Sequence, residues 1–186
     1  MSTLKVSTIS PLGTDATKTI TVGASGDTFK LTDGITVSGA GANVPAFKAY
    51  ISSGQTVATG TLTKITFQTE LYDTNNAYDN STNYRFTPQV SGKYFFLAKI
   101  RYEASGYTSN EIRIIKNGNT SDYTLPNAIF GTTSGTYYET YLMSGVLEAN
   151  GSTDYFEIYS QQNSGGNASI SASFGSTFEG YRLIGA

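Results

Sequence analysis

The sequence predicts an all-β chain folded as a sandwich, jelly roll or barrel. Three observations predict it. The apolar content leans towards β-formers, since 14 of the 186 residues are Tyr and 10 are Phe, types that suit a pleated, half-buried surface. Turn signals built on 20 Gly and many Asn and Asp residues punctuate short alternating runs, giving roughly eight to ten strands. No stretch repeats its apolar residues with the period of a helix.

Composition also excludes chemistries. Charged residues are 14%, the net charge is -2, and no Lys/Arg-rich run occurs. A nucleic-acid surface, which needs a cationic stripe, is therefore not expected. There is no Cys and no His. That removes disulfides, thiolate chemistry, the commonest general base and every Ser-His-Asp triad. No run is long and apolar enough for a membrane span. Met1-Ser2-Thr3-Leu4-Lys5 leads into no apolar signal segment, so the expected product accumulates in the cytoplasm of the cell that makes it.

Residues 1–43 read as a separate arm. Apolar beats at Leu4, Val6 and Ile9 precede Ile20-Thr21-Val22, which recurs as Ile35-Thr36-Val37 after the turn signal Asp33-Gly34. The arm has too few apolar residues for a core in one copy. Its alternation favours winding with copies of itself over disorder.

Residues 44–186 form the main module. Ala46 to Ile51 alternates as a strand, with Phe47, Ala49 and Ile51 on one face and Lys48 and Tyr50 on the other. Gln55 to Gly60 reads as a polar connection. Thr63 to Leu71 reads as one strand with Ile65 and Phe67 inward, and Tyr72 to Asn83 as an Asp/Asn loop. The run from Phe86 to Ile100 organises the module as a hairpin: a short strand, a turn at Ser91-Gly92, then a long buried strand. Pro88, which has no N–H for a ladder, marks the first strand's end. Glu111 to Lys116 is a strand stopped by the turn signal Asn117-Gly118. Ser121 to Ser134 is irregular. Thr136 to Leu147 and Asp154 to Ser160 are strands, the latter with Phe156 and Ile158 opposite Tyr155, Glu157 and Tyr159. Ala168 to Phe174 and Thr177 to Ile184 close the chain.

Those strands carry a family resemblance. Pro45-Ala46-Phe47-Lys48-Ala49-Tyr50 resembles the opening strand of the C1q/TNF-like jelly roll. Lys64-Ile65-Thr66-Phe67, Tyr78, Arg85-Phe86-Thr87-Pro88 and Gly92-Lys93-Tyr94-Phe95-Phe96 resemble its most characteristic run, Phe-Thr-x-x-x-x-Gly-x-Tyr-x-Phe. Ile114 to Gly118, Ser144 to Leu147, Asp154 to Phe156 and Thr177 to Leu183 follow in the family's order. The resemblance implies a ten-stranded jelly-roll sandwich, homotrimeric around an aromatic-lined axis, with a binding or structural role and no enzymatic one. It also implies subunit contacts at Tyr50, Tyr155, Tyr159 and Tyr181. The arm, from Leu4 to Thr28, resembles the leader of small structural proteins of marine bacterial viruses such as cyanophages. The implied partners are copies of the chain itself, other virion proteins through the arm, and a host surface glycan or protein. The implied location is the virion, on a capsid decoration or a tail fibre.

Three groups of residues invite chemistry. Asp73 to Asn80 is oxygen-rich and offers calcium ligands, but the preferred reading is a loop bonding to its own backbone. Among tyrosines in or beside predicted loops (Tyr72, Tyr78, Tyr107, Tyr123, Tyr137 and Tyr138), Tyr78, Tyr107 and Tyr123 are the candidates to face a ligand. A tyrosine gives a rigid apolar plane with a polar tip. Glu139 and Glu157 are a carboxylate pair of the kind glycosidases use, yet nothing in the sequence brings them to one sugar, and a solvated face or an ion pair is preferred.

Overall fold

In the computed structural model, residues 45–105, 108–122, 124–130 and 136–184 are described. The expectations for residues 1–43, Tyr107 and Tyr123 lie outside them. β1 (Ala46–Ile51) keeps its expected faces, with Phe47, Ala49 and Ile51 fully buried. It is followed by β2 (Gln55–Val57), β3 (Thr63–Lys64), β4 (Thr69–Asp73), β5 (Tyr78–Asp79), β6 (Arg85–Phe86) and β7 (Gly92–Ser105). Then come β8 (Ser109–Lys116), β9 (Asn127–Phe130), β10 (Thr136–Ala149), β11 (Phe156–Asn163), β12 (Ala168–Ile170) and β13 (Ser173–Arg182). The described residues contain no helix.

The strands form two sheets. In the first, β7 is central. β10 pairs with it along its whole length, from Gly92↔Ala149 to Ser105↔Thr136. β13 and β12 share the opposite edge of β7 in turn. Beyond them lie β1 and β4 beside β13, and β2 beside β12. The second sheet runs β5-β6-β11-β8-β9, with β3 also on β11. The inner faces meet in an aromatic core. Phe47 stacks on Phe86 at 4.2 Å and meets Phe178 edge-on at 4.8 Å, and Phe96 lies 4.7 Å from Phe156.

Three expectations change. The Phe86–Ile100 run is not a hairpin, because β6 pairs with β5 and β11 in the second sheet while β7 belongs to the first. The turn crosses the sandwich, and the Phe86 ring reaches Tyr94 and Phe96 across the core. The strand expected over Thr63 to Leu71 is split into β3 and β4, one in each sheet, although Ile65 and Phe67 are buried as expected. The crossing backbone is held by side chains that replace ladder bonds. Gln55 Nε2 donates to Lys64 O at 2.6 Å, Gln55 Oε1 accepts from Thr66 N, and Gln68 Oε1 accepts from Ser52 N and Ser53 N. Lastly, Gln55–Val57 and Asn127–Phe130, expected outside strands, are β2 and β9.

Candidate interaction surface

Side chains that point away from the core on the first sheet form a grid set by register. Reading across β10, β7 and β13, one row is Val146, Phe95 and Tyr181. The next is Ser144, Leu97 and Glu179, continued by Lys48 and Tyr72. A third is Leu142, Lys99, Thr177 and Tyr50. Phe95 and Tyr181 rings touch at 5.3 Å, and Lys48 pairs with Glu179 at 2.8 Å. Leu142, Val146 and Tyr181 each leave about half of their surface in water, at 52%, 49% and 47%. Leu71 and Tyr72 on the β4 edge and Tyr138 on β10 are exposed on the same sheet. Exposed large apolar groups gathered on one face are a feature of association surfaces.

The second sheet's outer face is mostly polar and internally paired, with Ile129 on β9 exposed beside Glu111. Glu157 is buried beside Ile115 and bonds Lys64. Arg113 pairs with Glu111 and donates to Thr120 O. The four tyrosines expected at subunit contacts divide between the sheets. Tyr50 and Tyr181 stand on the first, and Tyr155 and Tyr159 beside or on β11 of the second. The Arg85 guanidinium covers the Tyr155 ring at 4.1 Å. Burial, then the nearby Glu157 carboxylate, raises the Tyr159 hydroxyl above its ordinary range.

Tyr78 is not at a loop tip. It is 5% exposed on β5, stacks on Phe47 at 5.2 Å, and donates its hydroxyl to Phe67 O at 3.2 Å. Burial, then the charges of Glu70 and Asp79, pushes that hydroxyl far above the usual tyrosine value. A ring so placed packs the core and cannot meet a ligand.

The carboxylates around it serve the loop. Asp73 Oδ1 accepts from Asn75 N and Oδ2 from Tyr78 N. Asp79 accepts from Ser81 N, Thr82 N and Asn83 N. The bonds to Asn75 and Ser81 are Asx-turn bonds, the rest cap the same loop, and the donor set fits a self-capped loop better than a calcium cage. Among the described residues no three His, Cys, Asp or Glu side chains are grouped to hold a metal ion. Glu139 accepts the Tyr141 hydroxyl on β10, while Glu157 lies on the other sheet's outer face, so the two share no cleft.

The residues that sequence reasoning passed over are Leu142 and Val146, while Tyr138, named among the loop tyrosines, stands on β10. Their signal is visible afterwards. β10 is apolar on both faces, with Tyr141 and Met143 in the core and Leu142 and Val146 outside, although among the described residues β10 is an edge strand, paired with β7 alone.

No protein-family model matches the chain, and no curated protein matches it. Solved structures do. Murine APRIL at pH 5.0 is similar with a TM-score of 0.58 at 12% identity, covering 76% of this chain and 100% of that one. Murine APRIL at pH 8.5 gives 0.53 at 9% identity over the same shares. The globular domain of zebrafish complement 1qA gives 0.48 at 19% identity, covering 75% of this chain and 98% of that one. The likeness is one of fold: the described module is an all-β, C1q/TNF-like jelly roll.

Proposed function

We propose that the chain is a non-enzymatic structural protein that assembles as a homotrimer, with residues 1–43 docked on a virion and the jelly roll displayed outward. The observation that supports assembly is the exposed apolar outer face of the first sheet, centred on Leu142, Val146, Phe95 and Tyr181. Covering such side chains removes apolar surface from water, at about 25 cal/mol per Å². The virion location rests on the resemblance of the arm to viral leaders. The absence of His and Cys supports the non-enzymatic reading.

Light scattering on the full chain and on residues 44–186 tests assembly. The expected mass of the full chain is three times the 19.9 kDa of one copy, and the arm-less module remains trimeric. Leu142→Lys buries an ammonium group without a partner if the face is covered, so it is expected to yield monomers. A monomeric wild type, or a Leu142→Lys protein of unchanged mass, refutes the proposed contact. Antibody labelling of intact particles tests the location: capsid or tail signal is expected, and unlabelled particles refute it.

A further inference from the structure

At the other end of β7 the same outer face changes character. Register aligns Thr56 on β2, Ser169 on β12, Glu103 on β7 and Tyr138 on β10 in one row across four adjacent strands. All four side chains are exposed, and Tyr138 is 62% so. The row spans roughly 14 Å, three strand spacings. Thr56, Glu103 and Ser169 line an open depression of about 390 Å³ between Gly54 and Ala172. The Arg101 guanidinium lies 4.0 Å from the Tyr138 ring centroid. That contact pins the ring by cation–π attraction and still leaves most of its surface free.

The geometry points to a neutral-glycan subsite here, with a hexopyranose ring stacked on Tyr138 and its hydroxyls turned to Glu103 on the adjacent strand, while Ser169 and Thr56 farther along the row line the depression that a second sugar unit would enter. A sugar ring is amphipathic in the way this row is. Its C–H face suits an immobilised aromatic plane. Its vicinal hydroxyls suit a carboxylate, which accepts two hydrogen bonds in parallel, and serine and threonine hydroxyls both donate and accept. Glu103 is exposed and makes no ion pair among the described residues. Tyr138 lies four residues along β10 from Leu142, the near edge of the apolar patch, roughly 14 Å at strand rise. The two readings therefore use neighbouring parts of one face, and the mass measurement below separates them.

Saturation-transfer NMR on the full chain tests it. The probes are the methyl glycosides of glucose, galactose, mannose and N-acetylglucosamine, each at about 20 mM, since one stacked ring with a few hydrogen bonds binds on the order of millimolar. At least one is expected to receive saturation, strongest on the C–H protons of its apolar face. Tyr138→Ala is expected to weaken binding roughly tenfold, and Glu103→Gln to weaken it less. Mass by light scattering is expected to stay at the wild-type value in both. No transfer to any of the four glycosides overturns the proposal. So does undiminished transfer to Tyr138→Ala. A fall in mass on Tyr138→Ala also overturns it, by placing the row in a subunit contact.

Discussion

Gly180 sits on β13 opposite Phe96 of β7, and its missing side chain makes room for that ring. A Cβ at Gly180 would stand 2.6 Å from Phe96 Cδ1, 2.9 Å from Cε1 and 3.0 Å from Phe95 O. Phe96 has little room to yield. It is fully buried, with Phe156 at 4.7 Å, Phe178 at 5.9 Å, and Phe86 and Tyr94 at 6.1 Å. Overpacking of this kind costs about 1–3 kcal/mol. Replacing glycine recovers about 0.4–1 kcal/mol through the unfolded chain. Gly180→Ala should therefore destabilise by about 1–2 kcal/mol and lower Tm by about 2–8 °C for a module of this size. Gly166 is the control, because a Cβ there meets nothing within 4 Å. Gly166→Ala should raise Tm slightly, by about 1–3 °C. Circular dichroism melts of the three proteins are the assay. Adding Phe96→Leu to Gly180→Ala should cost less than the sum of the single changes, since the two side chains compete for one space. A Gly180→Ala protein that melts at or above the wild-type temperature would refute the reasoning and displace the Phe96 ring from where it is described.

Two pH dependences follow from buried and capping groups. Burial pushes the Tyr102 hydroxyl up to about 12, against the hydrogen bond it gives Ser160 at 2.7 Å. A tyrosine raised in the fold contributes stability that is complete below its unfolded value near 10 and is lost as pH rises towards the folded one. Tyrosinate absorbance should thus show Tyr102 and Tyr78 ionising only with unfolding, and Tyr102→Phe should flatten the alkaline loss of urea midpoint. An unchanged slope would count against the buried hydroxyl. Asp79 is shifted the other way. Its hydrogen bond from Thr82 N, with those of Ser81 and Asn83, holds the carboxyl well below the carboxylate range, and desolvation opposes them only in part. A depressed carboxyl contributes stability above its unfolded value near 4, lost as pH falls through the folded one. The wild-type urea midpoint should therefore fall more steeply below pH 4 than that of Asp79→Asn, and parallel curves would refute the capping role.

What the sequence discloses is local, and what it withholds is long-range. β1 is legible to the residue because Phe47, Ala49 and Ile51 alternate with Lys48 and Tyr50, and period-two alternation fixes both strand and face. The inward row of β7, with Tyr94, Phe96, Ala98 and Ile100 all buried, is legible for the same reason. The break between β3 and β4 is hidden, because it depends on Gln55 and Gln68 reaching backbone in another part of the chain. Tyr78 misleads because an Asp/Asn-rich neighbourhood signals a loop, while the burial of its ring against Phe47 depends on β1. The arch at Phe86 has hairpin-like residues; the long-range pairing of β6 with β5 and β11 is what puts its strands in different sheets. The Thr56–Tyr138 row is harder still, since its members come from four strands far apart in sequence and meet only through register.

The pairing of β1 with β13 also decides how the module carries load. The chain comes in beside Ala46 and goes out beside Arg182, and Arg182 N donates to Pro45 O at 2.9 Å. In an antiparallel ladder the bonds lie across the strands. Tension between these two points opens the ladder like a zip, starting at the Pro45–Arg182 bond and breaking one pair at a time. Tension brought in at Pro45 and taken out through a distant loop instead loads many of those bonds together, in shear. The direction of pull, more than the number of bonds, sets the force at which this roll yields.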